Sequence, residues 1–367
     1  MTMPAKGIFV DDEDQQFAAL LSTRGVLDFD YHAVAPLTDQ ALAIRLAQPN
    51  VVALDYRLDE VTPNVENGHT FKGSGLAQLL RDEAIVNPDH DFGIVLVSND
   101  YKLEAYFAPD RTAHDLFDIV YAKEIVVSER ARVRAELCAL SNGYQFLREL
   151  NKKYDPVVLL SASEAEVDRV RIQSIASVLS DASAPHLAAK FVLNAIIKRP
   201  GLLLDDADAA SLLGLKIDSF FKLVPALTAD DLLYTGIFSE GWRRWWANRL
   251  EEWGENITGK PLLDLTAQQR AEALSVRFGE ALEPAASPWN HSSDEYVGFA
   301  CCSCRRPTEL RHSLAVFESR APRFAARRRI CWDCIQTDRY LNDGHPWQIE
   351  ESDASLIVGI KTRQRKT

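Results

Sequence analysis

No apolar run in this 367-residue chain approaches the ~18 residues that a membrane helix needs. The opening stretch, MTMPAKGIFVDDED, has a four-residue apolar run followed at once by acids, so neither a secretory signal nor an anchor is expected there. Positive charge is scarce: 41 Lys and Arg stand against 53 Asp and Glu, a net −12. That balance excludes a chain that coats nucleic acid or anionic membrane nonspecifically, and it leaves only a local basic patch for such a role. Low-complexity tracts and internal repeats are absent, as are a phosphate-cradling glycine loop, metalloprotease and nucleotidyl-cyclase signatures, and a nucleophile elbow. The expectation is a soluble, cytoplasmic protein with two or three domains, since single cores stop growing near ~250 residues.

What is present begins with alternation. Short apolar, β-branched runs at 7–10, 30–34, 51–54, 93–97 and 118–122 are separated by amphipathic stretches such as 14–24 and 38–48. Strands of this length alternating with helices imply right-handed crossovers and a parallel sheet covered on both faces. Five units predict a flavodoxin-like doubly wound α/β domain over residues 1–142, its last helix starting near Ser128. Residues 143–283 read as an all-α region. Ser163 and Glu166 form a capping box for a helix to about Leu179, Pro185 opens a second helix, and Ser239 caps a third over 241–253. Residues 284–294 have the Pro, Ser and Asn content of a linker, 295–350 form a small cysteine-bearing module, and 351–367 form a basic tail.

In a doubly wound sheet, ligands bind where strands end at the carboxyl edge. The first run ends in Asp11 and Asp12, the third in Asp55, the fourth in Ser98 and the fifth in Lys123. Three carboxylates make an oxygen-rich pocket suited to Mg²⁺, and a hydroxyl with a lysine suits the oxygens of a transferred phosphoryl group.

This constellation resembles the response-regulator receiver family, over roughly residues 5–140. The resemblance implies that Asp11 and Asp12 hold Mg²⁺, that Asp55 is phosphorylated, and that the backbone carbonyl of Arg57 also ligates the metal. It further implies that Ser98 binds the phosphoryl group, that Lys123 pairs with it, and that Arg57 and Asp100 tune its lifetime. An Arg57–Asp100 pair across the pocket mouth is expected. Several positions depart from the family pattern: Glu124 follows the lysine in place of proline, Val120 and Tyr121 stand around the switch-aromatic position, and Asn99 follows Ser98. The connection after Leu58, with Pro63, Asn67 and Gly68, is longer than usual.

Five of the six cysteines lie between 301 and 334, which suggests metal ligation in a reducing compartment. Cys301-x-x-Cys304 and Cys331-x-x-Cys334 are two knuckles whose four thiolates suit a closed, structural Zn²⁺ site of treble-clef or zinc-ribbon type. Cys302 is a substitute for Cys301, His312 a further candidate, and Cys138 a core residue. Eight arginines between the knuckles, Arg320 among them, stand against Glu309, Glu318 and Asp333. The segment is therefore +5, or +3 with zinc and four thiolates. Such a module could bind nucleic acid or pair with the acidic remainder of the chain.

Residues 209–223 have the alternation of a helix-turn-helix, but Asp205, Asp206, Asp208, Asp230 and Asp231 flank it and would repel phosphate, so a structural hairpin is expected. Trp242, Trp246, Leu250 and Trp253 recur at helical spacing as a core-facing stripe. The functional expectation is a response-regulator-like phosphoacceptor with no enzyme activity beyond its own phosphotransfer. Its partner would be a histidine kinase or phosphotransfer protein, in a phosphorelay or, by resemblance to Detocs-type receivers, a phage-defence relay. The alternatives are a DNA-binding transcriptional response regulator and a non-phosphorylated receiver-fold scaffold.

Overall fold

The computed structural model describes residues 4–60, 70–110, 112–319, 321–342 and 346–363. Pro63, Asn67, Gly68, Arg320 and the last four residues of the basic tail lie outside the described residues. The chain folds as two compact units: residues 1–193 with 235–242, and residues 194–234 with 243–367. The stretch expected to be all-α is shared between them.

The first unit is built on five parallel strands in the order β2-β1-β3-β4-β5. They are β1 (Ala5–Val10), β2 (Leu27–His32), β3 (Val51–Leu54), β4 (Gly93–Ser98) and β5 (Ile119–Ala122). This is the flavodoxin-like doubly wound fold. Every residue of β3 and β4 is buried, as expected of central parallel strands covered on both faces. The strand expected at 30–34 instead covers Leu27–His32. As an edge strand it alternates, with Leu27 and Phe29 buried and Asp28 and Asp30 exposed, while Val34 joins the core from the following loop.

Helices α1 (Phe17–Leu21), α2 (Leu37–Ala47) and α3 (Gly73–Val86) cover the first three crossovers. Gly73 presses α3 against the end of β3. Its N–H donates to the Tyr56 carbonyl at 2.8 Å, and a Cβ there would lie 2.1 Å from the Asp55 carbonyl oxygen, so only glycine fits. After β4, α4 (Asp100–Lys102) runs into a π-helical turn, Leu103–Phe107. After β5 there is no loop: α5 (Lys123–Ser128) starts at once, and α6 (Arg130–Glu149) continues the layer.

Four shorter helices follow: α7 (Pro156–Leu160), α8 (Val167–Val170), α9 (Gln173–Ser180) and α10 (Pro185–Phe191). The Ser163–Glu166 capping box forms, yet the helix it opens breaks at Arg171, whose guanidinium turns to Asp155 at 3.1 Å. A buried polar network ties these helices to the sheet. Arg81 of α3 bonds Asp91 (3.1 Å) and Asp118 (2.9 Å), just before β4 and β5, and Tyr144 of α6 donates to Asp118. The Asp91 Oδ2 accepts from the backbone N–H of His186 on α10 (2.6 Å) and lies 2.8 Å from its Nδ1. Burial acts to raise the Asp91 pKa, but the His186 bonds and the Arg81 charge prevail and hold it below its ordinary value. Removing one partner from such a buried pair costs about 3–5 kcal/mol, because the other charge is left unmatched.

In the second unit, α11 (Asp206–Leu212) and α12 (Ile217–Ala229) form the expected hairpin around Gly214 at φ 70°. The helix expected over 241–253 begins only at Ala247, as α13 (Ala247–Thr258). Trp245 and Trp246 form β7 (Trp245–Trp246), paired antiparallel with β6 (Leu203–Leu204), and Trp242 belongs to the other unit. The tryptophan stripe is therefore a coincidence of spacing: two bulky aromatics are buried here by strand pairing, and only Leu250 and Trp253 share the helix. Helix α14 (Ala267–Phe278) completes this core.

The cysteine module holds β8 (Val297–Ala300) paired with β9 (Pro307–Glu309), and β10 (Ser313–Ala315) paired with β11 (Arg329–Cys331), which leads into α15 (Trp332–Gln336). Within the stretch expected to be a tail, Glu351–Ala354 and Leu356–Thr362 are helical, and Ile360 is buried in the module's core.

Candidate functional site

The parallel sheet brings the predicted residues to one edge. Asp11 and Asp12 follow β1, Asp55 follows β3, Ser98 closes β4, and Lys123 follows β5. Asp55 is 1% exposed and Asp11 is fully buried. Asp11 Oδ1 accepts from the N–H groups of Glu13 and Asp14, both at 2.8 Å, which fixes the carboxylate. Lys123 Nζ donates to Asp11 Oδ2 at 2.7 Å and to Asp14 Oδ2 at 2.9 Å. The Ser98 hydroxyl donates to Asp55 Oδ1 in a short bond.

Asp55 Oδ2 is buried, with no hydrogen-bond partner among the described residues. Its neighbour is a residue that strand-end reading missed. Lys102 is 1% exposed, its Nζ lies 3.7 Å from Asp55 Oδ2, and it bonds Glu60 at 2.6 Å. At 3.7 Å the lysine supplies counter-charge without occupying the oxygen. The signal was spacing: Lys102 is one helical turn beyond Ser98, which returns it over the strand end. Burial opposes the Lys102 ammonium, but the Glu60 bond and the Asp55 charge outweigh it and hold its pKa above that of an ordinary lysine. Lys123 is held up likewise, by Asp11 against its burial.

Burial is also the largest influence on Asp55. It pushes the pKa from 3.8 up to about 6, with the Ser98 bond and the two lysines pulling down and Asp11 pushing further up. Asp11, Asp12 and Asp55, three carboxylates at neighbouring strand ends, are a donor set of the kind that suits an octahedral hard cation such as Mg²⁺.

The expected Arg57–Asp100 pair does not form. Arg57 is drawn to nearer acids, Asp59 at 2.6 Å and Glu60 at 3.7 Å, and its guanidinium stacks 4.6 Å over the Tyr106 ring. Asp100 is exposed, with its backbone N–H donating to Glu124 at 3.3 Å. Tyr121 points away from the site, its hydroxyl donating to Glu136 of α6 at 2.7 Å, while Val120 is exposed.

In the second unit, Cys301, Cys304, Cys331 and Cys334 converge with all four sulfurs within 4.8 Å of one another. The Cys301–Cys334 and Cys304–Cys331 separations are 3.9 and 3.7 Å. Tetrahedral ligation at Zn–S distances of about 2.3 Å places sulfurs about 3.8 Å apart, so the group fits zinc. The Cys331 N–H and Arg306 Nε donate to Cys301 and Cys304 sulfurs at 3.3 and 3.4 Å, support suited to thiolates. Cys302 stands outside the group, and burial pushes its thiol pKa up. His312 is also outside it, engaged with Glu309 at 2.5 Å. Cys138 is half-buried on α6.

No family model and no curated protein matches the chain. Solved structures with some likeness include the Legionella pneumophila response regulator LqsR, at 13% identity and TM-score 0.28, covering 41% of this chain and 48% of that one. NtrX from Brucella abortus shows 19% identity and TM-score 0.26, covering 46% and 33%. The chain thus spans less than half the length of either neighbour. The fold assignment rests on the strand order itself.

Because folding raises the Asp55 pKa, the unfolded chain has already released, between about pH 4 and 6, a proton that the folded chain keeps. Stability from this group is therefore greatest at low pH and is lost as the pH rises through about 6. In magnesium-free buffer at about pH 7.5, Asp55→Asn is expected to raise stability by about 2–3 kcal/mol, and the gain should vanish near pH 4. Denaturant titrations at the two pH values check it; a variant weaker than wild type at neutral pH would show that burial does not dominate.

Proposed function

We propose that the chain is a response-regulator-like phosphoacceptor that takes a phosphoryl group on Asp55 from a histidine kinase or phosphotransfer protein. It then relays, senses or absorbs the signal through protein contacts. The observation that carries this reading is the placement of Asp11, Asp12, Asp55, Ser98 and Lys123 at four neighbouring strand ends, about the buried carboxylate of Asp55.

In the proposed step, Asp55 Oδ2 attacks phosphorus in line, a P–O bond forms, and the P–N bond of the donor breaks. The donor leaves as neutral imidazole, its other nitrogen keeping the proton. A magnesium ion held by Asp11, Asp12, Asp55 and the Arg57 carbonyl would offset the charge gathering on the phosphoryl oxygens. Lys123, now spread over Asp11 and Asp14 and within electrostatic reach of Asp55, swings in this step to the new phosphoryl group. Ser98 likewise gives up Asp55 Oδ1 for a phosphoryl oxygen. Lys102 favours the ionised form of Asp55 before transfer. Arg57 and Asp100 are assigned to tuning of the acyl-phosphate lifetime as separate charges at the mouth.

The cysteine group is assigned a structural zinc ion. A DNA-reading alternative would use α11 and α12 or the arginine-rich module. Internal pairing supports the protein-contact reading instead: Arg305 binds Asp205 and Asp208, Arg306 binds Asp333, and Arg328 binds Glu318.

Incubation with a small phosphodonor and Mg²⁺ should label the chain, and Asp55→Asn should abolish the labile acyl phosphate. Persistence of the same label in that variant would overturn the assignment, and no labelling of wild type by any donor would favour the scaffold reading. Elemental analysis is expected to give about one zinc per chain. Replacing Cys304 should unfold the module while replacing Cys302 should not, and a metal-free, fully folded chain would contradict the zinc assignment.

A further inference from the structure

The second unit contains a cavity of about 260 Å³ walled by α11, α13, β8 and the segment leading into β11. Seven cations line it, among them Arg199, Arg244, Arg305, Arg328 and Arg329, against three carboxylates, in a chain whose net charge is −12. Arg327 pairs with Glu350 at 3.3 Å, but the arginines deeper in the wall are less evenly matched. Arg305 is matched by Asp205 and Asp208, but Arg199 and Arg328 share one carboxylate, Glu318, at 2.7 and 3.3 Å. Among the described residues, Arg244 donates to the carbonyls of Ile197 (2.6 Å) and Arg243 (2.7 Å). Among the described residues, the Arg329 side chain donates to the hydroxyl and carbonyl of Ser313, at 2.8 and 3.0 Å. Arg199 Nη1 is buried, with no hydrogen-bond partner among the described residues.

Burial, the largest influence on each, lowers the pKa of Arg244, Arg328 and Arg329, the direction expected where positive charge is enclosed without enough negative charge. Enclosed, unmatched charge is costly, so a cavity of this kind is completed by an anion. Guanidinium forks are geometrically matched to phosphate oxygens, and several converging forks suit more than one phosphate. The remaining wall is apolar, with Leu204, Leu212, Leu263 and Phe299. The volume lies just under the usual range of roughly 300–1,000 Å³ for small-molecule sites, which excludes a bulky ligand.

We infer that this cavity is a binding site for a small phosphorylated ligand of the nucleotide class, its phosphates among Arg199, Arg244, Arg328 and Arg329 and its flat portion against Phe299. The inference is independent of Asp55 phosphorylation, since every residue it uses belongs to the second unit. The phosphate chemistry could come from a free nucleotide or from the end of a nucleic-acid strand, and the inference commits to the free nucleotide.

The test is calorimetric titration of the full chain with pyrophosphate, ADP and a 5′-phosphorylated single-stranded oligonucleotide. Pyrophosphate and ADP should bind saturably, and Arg244→Gln and Arg329→Gln should each weaken both by about tenfold or more. Phe299→Ala should weaken ADP and leave pyrophosphate unchanged. Because Arg244, Arg328 and Arg329 also hold carbonyl oxygens of the fold, Arg199→Gln serves as a third variant, and thermal melts establish that each variant is folded. No saturable binding of either small probe, or wild-type affinity in folded arginine variants, would overturn the inference. So would an oligonucleotide that binds and is not displaced by ADP.

Discussion

The first unit turns on how a carboxylate is kept buried at Asp55. With Asp11 nearby and solvent excluded, the group resists ionisation, and its pKa climbs to about 6. Two lysines from different elements limit that rise: Lys123 from the start of α5, through Asp11 and Asp14, and Lys102 from the end of α4, at 3.7 Å. The site is thus balanced by charges that a metal ion and a phosphoryl group would redistribute. The backbone is arranged around the same point, since Gly73 lets α3 approach the Asp55 carbonyl and α4, which bears Lys102, runs on into the π-helical turn.

At the opposite strand ends, Arg81, Asp91, Asp118 and Tyr144 form a buried network that extends to His186 on α10. It makes the helices that follow the sheet part of the same compact unit. The second unit uses a different solution. Sulfurs spaced for tetrahedral ligation bring the β8–β9 turn and the start of α15 together beside an apolar cluster that includes Leu314, Ile330 and Ile335. Its arginines are spent partly on internal acids, and the surplus faces one cavity.

Much of this was legible in the chain. Parallel strands buried on both faces appear as unbroken apolar runs, so β3 and β4 and the polar residues that end them could be read directly, and the paired knuckles announced the cysteine group. The edge strand β2 was displaced because half its residues are polar. Lys102 was missed because only a helical turn after Ser98 brings it back to Asp55, a relation that strand-end reading does not include. Trp242, Trp246 and Trp253 fit a helical period by accident, since Trp245 and Trp246 are buried by pairing with Leu203–Leu204, which no local pattern reveals. Arg57 was matched to Asp100 on position alone, and nearer acids at Asp59 and Glu60 won.

The central claim is that the buried Asp55 pocket exchanges lysine counter-charge for a metal ion and a phosphoryl group. A crystal structure of the full chain with beryllofluoride and Mg²⁺ tests it most directly. The account predicts beryllofluoride on Asp55, Ser98 and Lys123 turned to its fluorines, and the ion on Asp11 and Asp12. An unmodified Asp55 still bonded to Ser98, with Lys123 still on Asp11 and no ion between the carboxylates, would contradict it.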